Sequence, residues 1–263
     1  MKDLSIIMAS SNEPYLTRTI DGLLGALKGN TDIIVVVDGD REPPPSYPSS
    51  LVKIIYNKDC TGQRACINQA AWYSDSEFIM KLDPHCVIAK GFDIGLLDSC
   101  KDDNWTIVPR LYKCHPRLWK PILKNGLSFC SFNSQLISRP WRAFEYMDSG
   151  NKTMCFSGSC FFMNRKRFLS FGGLDELHGG YGQVGVEIAC KTWLSGGQLI
   201  ANKNIWYAHL FKSTPHQIPE QAINRSKYLW KGNNWPLAKY DLKWLVTKFW
   251  PVPGWSFEDL DKL

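Results

Sequence analysis

Two largely apolar segments in the first third of the chain each run directly into an aspartate. Ile33 to Val37 is a continuous β-branched run that ends at Asp38, and Phe78 to Leu82 ends at Asp83. A run of this kind is typical of a strand that is buried on both faces, as in a parallel sheet covered by helices. Because open α/β sheets bind ligands at the carboxyl ends of their strands, both aspartates are candidates for a binding site.

Strand and helix patterns alternate through the first hundred residues. Such alternation favours an α/β fold with a mostly parallel central sheet flanked by helices. The first helix is predicted to start at Ser10 to Asn12, with Pro14 inside its first turn. The other predicted elements are strands at 4–9, 52–56, 156–163 and 206–211 and helices at 62–73 and 184–194.

Composition excludes several classes of protein. The 263 residues are 44% apolar, which is ample for a core, yet no long uncharged apolar run predicts a membrane-spanning helix. The segment from Met1 to Met8 reads as a first strand and not as a signal peptide. Nine scattered cysteines without a C-x-x-C pair argue against a disulfide framework or a zinc knuckle. We therefore expect a cytoplasmic protein, which for a viral chain would be the host cytoplasm.

One long segment carries only positive charge. The net charge of the chain is +6, and from Asn104 to Phe144 there is no Asp or Glu while seven Lys and Arg residues occur. A segment of one sign produces a positive field and favours an anionic macromolecular partner. The alternative is a solvated basic face of an ordinary protein.

Asp83-Pro84-His85 follows the second apolar run and has the composition of a metal-binding loop. A carboxylate oxygen and an imidazole nitrogen two residues apart can face one divalent cation. Oxygen and nitrogen ligands together suit Mn²⁺ and its neighbours, including Mg²⁺ for the oxygen ligands. The alternative is a strand end with a solvated Asp and a surface His.

Five stretches in order carry a resemblance to a known family. They are Ser5-Ile6-Ile7 with Asn12-Glu13, Val35 to Asp38, Asp83-Pro84-His85, Gly172 to Glu176 with Tyr181 to Gly197, and Ala208 to Lys212. With these the chain resembles GT-A glycosyltransferases of the family-2 type, and most of all the catalytic domain of polypeptide N-acetylgalactosaminyltransferases. The resemblance implies a GT-A (Rossmann-like) nucleotide-sugar transferase fold.

The resemblance also implies a UDP-sugar donor and a bound Mn²⁺ or Mg²⁺. Asp83, His85 and His209 would hold the metal, although a histidine on a strand is also a common core residue. A divalent ion that bridges the diphosphate neutralises the charge of the leaving group, which is Lewis-acid catalysis. The residues that the resemblance assigns to the donor are Asn12, Glu13, Asp38, Gly62, Arg64, Ser157, Gly158 and Lys212.

Three of these donor residues have more specific expected roles. Gly62 would leave room for a flat base, and its alternative is a plain turn glycine. Arg64 or Lys212 would add positive charge near the diphosphate. One catalytic domain is expected over 1–263, divided into a nucleotide-binding half at 1–103, an acceptor and catalytic half at 104–218, and a basic Trp-rich extension at 219–263.

The late motif departs from the resembled family at the position of its catalytic carboxylate. Counting back from Glu187, Val184 and Gly185 stand where those enzymes have a Glu-Asp or Glu-Asn pair. An inverting reaction needs a general base for the acceptor hydroxyl, so this loss favours a retaining course. Glu187, or Asp175 with Glu176, remain candidate bases. A chain that binds nucleotide sugar without turnover is a further alternative.

The basic segment suggests the acceptor. Its charge, with Tyr112, Trp119 and Trp141 as rings to stack on an exposed base, favours a phosphate backbone. The best prediction is a hydroxymethylated pyrimidine in DNA, as in bacteriophage DNA modification. Protein Ser/Thr and glycan acceptors stay open, as does a nucleic-acid-binding protein without activity. The Trp-rich tail is predicted to cover the sheet edge by core or lid packing, to bind acceptor or to lie on a membrane surface.

Overall fold

The computed structural model describes residues 2–39, 47–142, 150–212 and 217–263, and its centre is a nine-stranded sheet. Residues 143 and 144 of the acid-free segment lie outside the described residues. The strands are β1 (Leu4–Ser10), β2 (Thr31–Asp38), β3 (Val52–Asn57), β4 (Phe78–Leu82), β5 (Cys86–Ile88), β6 (Trp105–His115), β7 (Lys120–Leu127), β8 (Cys130–Phe132), β9 (Ser138–Pro140), β10 (Cys160–Asn164) and β11 (Gln198–His209).

Eight α-helices accompany these strands in the described part of the chain. They are α1 (Leu16–Ala26), α2 (Gln63–Tyr73), α3 (Phe92–Ser99), α4 (Arg165–Ser170), α5 (Val184–Leu194), α6 (Glu220–Ser226), α7 (Leu242–Lys248) and α8 (Phe257–Asp261). A 3₁₀ turn at Glu176–His178 and a π-helix at Lys227–Lys231 complete the list. None of the helices in the described ranges is long and apolar enough to cross a membrane.

The sheet order is β3-β2-β1-β4-β10-β6-β11-β5, with β7 beside β6. The first four strands are parallel, as predicted, while β10 is antiparallel to both of its neighbours. Alternate residues of β1 and β2 enter two different cores: Ile7 and Ile34 pack with α2 and α5, and Ile6 and Ile33 pack with α1 and α3. Both faces are therefore covered, which explains the continuous apolar runs.

Several predicted bounds were wrong in ways that matter for the site. Helix α1 begins at Leu16, so Ser11 to Glu13 form a turn instead of a first helical turn, and Asn12 has a φ of +47°. Strand β10 begins at Cys160, which leaves 156–159 as a loop. Strand β11 begins eight residues before its prediction and pairs with both β6 and β5.

The acid-free segment forms the β6–β7 hairpin and the small β8–β9 sheet. Strand β7 is exposed along most of its length. The Trp-rich tail, in contrast, is partly buried: Trp230, Trp235 and Trp255 lie in the same core as α5. These three rings therefore pack in the interior, which agrees with core packing as one of the roles predicted for the tail. The predicted division of 1–263 into three segments stays a prediction.

Candidate active site

A cavity of about 720 Å³ opens at the carboxyl ends of β1 and β4 and at the start of α5. Its wall combines charged, hydroxyl-bearing and apolar side chains from segments that are distant in sequence. Five of the predicted donor-site residues and all three predicted metal ligands line it. They are Glu13, Asp38, Ser157, Gly158, Lys212, Asp83, His85 and His209.

The three predicted metal ligands converge on one point of this cavity. Asp83 follows β4, His85 precedes β5, and His209 ends β11. The pairing of His209 with Cys86 brings the two histidines together. His209 Nε2 lies 3.1 Å from Asp83 Oδ2 and 3.0 Å from His85 Nε2. One ligand atom from each residue falls within 4.8 Å of the others.

The protonation and orientation of these groups fit a divalent ion. Burial lowers the pKa of His85, which favours the neutral imidazole that a metal requires. Burial alone would raise the pKa of Asp83, but Lys81 and the two histidines outweigh it and hold that pKa below its usual range. Glu13 Oε2 lies 2.8 Å from His85 Nδ1 and so leaves Nε2 for a metal. With nitrogen and oxygen ligands, the donor set fits Mn²⁺.

Lys81 is a site residue that sequence reasoning missed. It is 2% exposed, its ammonium forms an ion pair with Asp83, and it donates to the Gly158 carbonyl at 2.8 Å. The sequence held a signal, because residues i and i+2 of a strand point to one face and Lys81 is two residues before Asp83. Counting 78–82 as one apolar run hid that signal.

Asp38 and Gly62 are adjacent in space, and both have contacts within the protein that account for them without a nucleotide. The Asp38 carboxylate accepts bonds from Thr61 N at 2.9 Å and Gly62 N at 2.8 Å, besides the hydroxyl of Thr61 and the thiol of Cys60. Burial opposes ionisation, but these bonds lower the pKa of Asp38. Gly62 has a φ of +92°, and a Cβ there would lie 2.9 Å from the Cα of Gly180. The close approach of two backbones explains this glycine without a nucleotide base.

Arg64 and Glu187 form an ion pair in the interior and do not line the cavity. Glu187 is fully buried, and it also accepts from Lys191 Nζ and Asp175 N, each at 2.7 Å. Burial would raise its pKa, but Lys191, Arg64 and His178 lower it to about 2. The role predicted for Glu187 as a base needs access to an acceptor, which this side chain lacks. Arg64 is likewise withdrawn from any diphosphate.

The other two candidate bases also have structural partners outside the cavity lining. Asp175 accepts from Leu177 N at 3.1 Å and from Arg225 at 2.7 Å. Glu176 accepts from Asn68 at 2.9 Å. These contacts hold the 173–178 segment in place, and they give neither acid a route to a substrate hydroxyl in the cavity.

The start of α5 does line the cavity, at Val184 and Gly185. A Cβ on Gly185 would lie 2.1 Å from the Phe156 carbonyl oxygen and 2.9 Å from Gly158 N. Because both neighbours are backbone, no side chain fits here without a shift of the 156–158 loop. The close packing of α5 against this loop therefore explains why no carboxylate side chain occupies position 185.

Lys212 and Glu13 meet at the mouth of the cavity, with Lys212 Nζ 2.9 Å from Glu13 Oε2. Ser157 also lines the cavity, and its hydroxyl is 2.9 Å from that of Ser159. Asn12 lies in the preceding turn and is not among the lining residues. The structure therefore brings together most of the predicted donor site but leaves Asn12, Gly62 and Arg64 outside the wall.

The three rings predicted to stack on nucleic-acid bases are engaged within the protein. Trp119 stacks on Tyr15 at a centroid distance of 5.2 Å. Tyr112 packs edge-on against Trp206, and Trp141 is buried in the core. These contacts give no support to the stacking part of the DNA prediction, which stays a prediction. The basic side chains of the hairpin remain exposed at Lys113, Arg117, Lys120 and Lys124.

Comparison with known proteins places this geometry in context. Residues 5–170 match Glycosyl transferase family 2. A putative polypeptide N-acetylgalactosaminyltransferase 13 of Drosophila melanogaster is 25% identical over 55% of this chain and 27% of its own length. A probable N-acetylgalactosaminyltransferase 8 of Caenorhabditis elegans is 23% identical over 68% of this chain and 44% of its own length. The chain thus spans less than half the length of these relatives.

Two solved structures share the fold. GalNAc-T7 with UDP, GalNAc and Mn²⁺ superposes with a TM-score of 0.69 at 16% identity, over 88% of this chain and 49% of that chain. The mannosyltransferase PcManGT from Pyrobaculum calidifontis, in complex with GDP-Man and Mn²⁺, gives a TM-score of 0.58 at 14% identity, over 89% of this chain and 72% of that chain. The GT-A fold expected from the sequence is confirmed by these matches.

Proposed function

This chain belongs to glycosyl transferase family 2, and we propose that it moves a sugar from a UDP-sugar to a hydroxyl of a macromolecular acceptor with the help of Mn²⁺. The observation that carries the proposal is the convergence of Asp83, His85 and His209 at one point of a 720 Å³ cavity. The solved neighbours with nucleotide or nucleotide sugar and Mn²⁺ support the same donor chemistry.

The residues around this point suit a diphosphate leaving group. When bound, the metal supplies a Lewis acid for the charge that develops on the diphosphate. Lys212 adds a cation at the cavity mouth, and Glu13 orients both Lys212 and His85. The 156–159 loop adds Ser157 and Ser159 to the cavity lining. These groups bind and orient a donor without themselves reacting.

We further propose a retaining course. An inverting reaction needs a carboxylate that takes the acceptor proton. Among the described residues, the acids that line the cavity are Glu13, Asp38 and Asp83. Glu13 pairs with His85 and Lys212, and Asp83 belongs to the metal cluster. The carboxylate oxygens of Asp38 accept hydrogen bonds from the backbone of the 60–62 loop. Because each of these three described acids is already engaged, we assign the acceptor proton to the leaving phosphate.

The acceptor we favour is a Ser or Thr hydroxyl of a polypeptide, since the matched relatives carry polypeptide transferase names. A hydroxymethylated pyrimidine in DNA is the second candidate, and the observation that favours it is the exposed basic hairpin β6–β7. Phosphate contacts from lysine and arginine supply affinity for DNA without base stacking.

The test is release of UDP from a panel of UDP-sugars with Mn²⁺, alone, with Ser/Thr peptides, and with hydroxymethylated duplex DNA. Metal-dependent release that a peptide stimulates supports the favoured acceptor, and stimulation by the DNA supports the second. The Asp83→Asn variant should lower release by about a thousandfold, while Lys90→Met, at an exposed position outside the cavity lining, should leave it unchanged. Absence of release with every donor would contradict the proposed activity.

A further inference from the structure

Lys81, the buried lysine on β4, lies beside the metal ligand Asp83 and should influence how tightly the site binds a metal. We propose that Lys81 is an internal cation that weakens binding of a free divalent ion and thereby makes metal binding depend on the donor diphosphate. The inference rests on the proposed function, because it takes the nucleotide diphosphate as the second ligand. Its subject is a residue that lines the cavity but is not itself a metal ligand.

The position of Lys81 is fixed from two sides. Its ammonium pairs with Asp83 Oδ1 and donates to the Gly158 carbonyl at 2.8 Å. The other oxygen of Asp83, Oδ2, faces His209. Lys81 therefore holds one oxygen of the carboxylate and leaves the other for a metal, while tying β4 to the loop that packs against the start of α5.

The charges near the site nearly cancel before any ligand binds. The metal cluster contains the Asp83 carboxylate and is contacted by the Glu13 carboxylate, and each is paired with a lysine: Asp83 with Lys81, and Glu13 with Lys212. The two histidines bring no negative charge of their own, so an added divalent ion leaves an excess of positive charge in a mostly buried place. Such an excess is unfavourable at low dielectric. A diphosphate brings the compensating negative charge, so the metal and the donor should bind more tightly together than apart.

Lys81 contributes more to this balance than Lys212 does. Lys212 is 45% exposed at its side chain, so water and salt screen its charge, whereas the side chain of Lys81 is 2% exposed. Lys81 also contacts a metal ligand directly, whereas Lys212 reaches the cluster only through Glu13. Removal of the Lys81 charge should therefore change metal affinity the most.

The test measures Mn²⁺ binding by titration calorimetry, or by the EPR signal of free Mn²⁺, with and without UDP and without any turnover. In the unmodified protein, saturating UDP should tighten Mn²⁺ binding at least tenfold, and Mn²⁺ should tighten UDP by the same factor because coupling is reciprocal. In Lys81→Met, Mn²⁺ alone should bind at least tenfold more tightly, and the effect of UDP should shrink accordingly. Lys81→Arg keeps the charge and should retain most of the coupling.

The matched control is Lys90→Met, the same change at an exposed position, and it should bind like the unmodified protein. If Lys81→Met does not fold, judged by circular dichroism, Lys81→Gln carries the same expectation. Equal affinity of the folded neutral variant and the unmodified protein for Mn²⁺ alone would overturn the inference while leaving the proposed function intact. Absence of Mn²⁺ binding in the unmodified protein, even with UDP, would contradict the proposed function and the inference together.

Discussion

Two clusters of acids and bases lie on either side of the start of α2, and they have opposite characters. The open cluster, Asp83, His85 and His209, lines the cavity. The closed cluster, Glu187 with Arg64 and Lys191, is fully buried and does not line it. Both contain a carboxylate paired with a lysine, so residue type alone does not separate them.

The two clusters differ in how many of their side-chain nitrogen and oxygen atoms already have hydrogen-bond or ion-pair partners. Each oxygen of Glu187 accepts from a cation or an amide, which completes the site as a structural support for α5 and the 173–182 segment. In the open cluster, two imidazole nitrogens and a carboxylate oxygen face one another within reach of solvent. Buried groups with complete partners stabilise a fold, while converging lone pairs in a cavity bind a ligand.

The largest expected effect comes from breaking the open cluster. Asp83→Asn removes the charged metal ligand, and we expect metal-dependent UDP release of the folded protein to fall by about a thousandfold. Steady-state UDP release and calorimetric Mn²⁺ binding check this. Asp98→Asn, the same change at an exposed position of α3, is the control and should retain activity. Full activity of Asp83→Asn would remove the distinction between the clusters.

The closed cluster should affect the pH dependence of the unfolding free energy and not the rate of catalysis. The pKa of Glu187 falls from its ordinary 4.5 to about 2 in the folded chain. Because the folded state lowers this pKa, its contribution is present above about 4.5 and is lost as pH falls toward about 2. The contribution is about 3 kcal/mol of unfolding free energy. Urea unfolding from pH 6 to pH 2.5 measures it, and Glu187→Gln should flatten that part of the profile.

That comparison has a clear opposing outcome. If Glu187→Gln keeps its folded-state stability and its pH profile but loses UDP release, Glu187 takes part in catalysis and the closed cluster is not purely structural. If it loses stability at neutral pH while Mn²⁺ binding of the folded fraction is preserved, the two clusters are separate.

A smaller effect is expected where α5 meets the cavity wall. Gly185→Ala places a Cβ against the carbonyl oxygen of Phe156, and we expect a loss of about 2 kcal/mol in unfolding free energy. Gly22→Ala is the matched control, because nothing lies within 4 Å of a Cβ there in helix α1. That control should be neutral or slightly stabilising. Equal stability of the two variants would show that the 156–158 loop moves aside.

The smallest effect is expected from the contact of Glu13 with His85, a member of the open cluster. Glu13→Gln keeps a polar group beside His85 Nδ1 but removes its charge, and we expect Mn²⁺ affinity to fall by about tenfold. Calorimetry measures this fall, and Glu77→Gln, at an exposed position between α2 and β4, is the matched control. Unchanged affinity would mean that Glu13 acts on Lys212 alone.

Much of the open cluster was predictable because strand order determines it. Parallel strands place their carboxyl ends at one edge, so Asp38 and Asp83 were expected there from the apolar runs that precede them. The contact of His209 with this edge followed from family resemblance alone, since the antiparallel pairing of β5 and β11 leaves no local signal.

The rest depended on side-chain surroundings that one sequence does not display. Glu187 looks like any helical acid until Arg64, distant in sequence, is placed beside it. The absence of a carboxylate at Gly185 was visible, but its cause, a carbonyl at the Cβ position, was not. The aromatic rings of the basic segment were expected at the surface because of their charged neighbours, yet Trp119 packs on Tyr15.

Strand β11 has a consequence for how the chain folds. His209 lies 126 residues after Asp83, so the ligand set exists only once the late strand has joined the sheet. Contacts of such sequence separation form slowly, because a long loop must close first. A divalent ion held by both residues would act as a reversible cross-link between the early and late parts of the chain. Chelation should then lower the melting temperature of the whole sheet, and donor with metal should raise it.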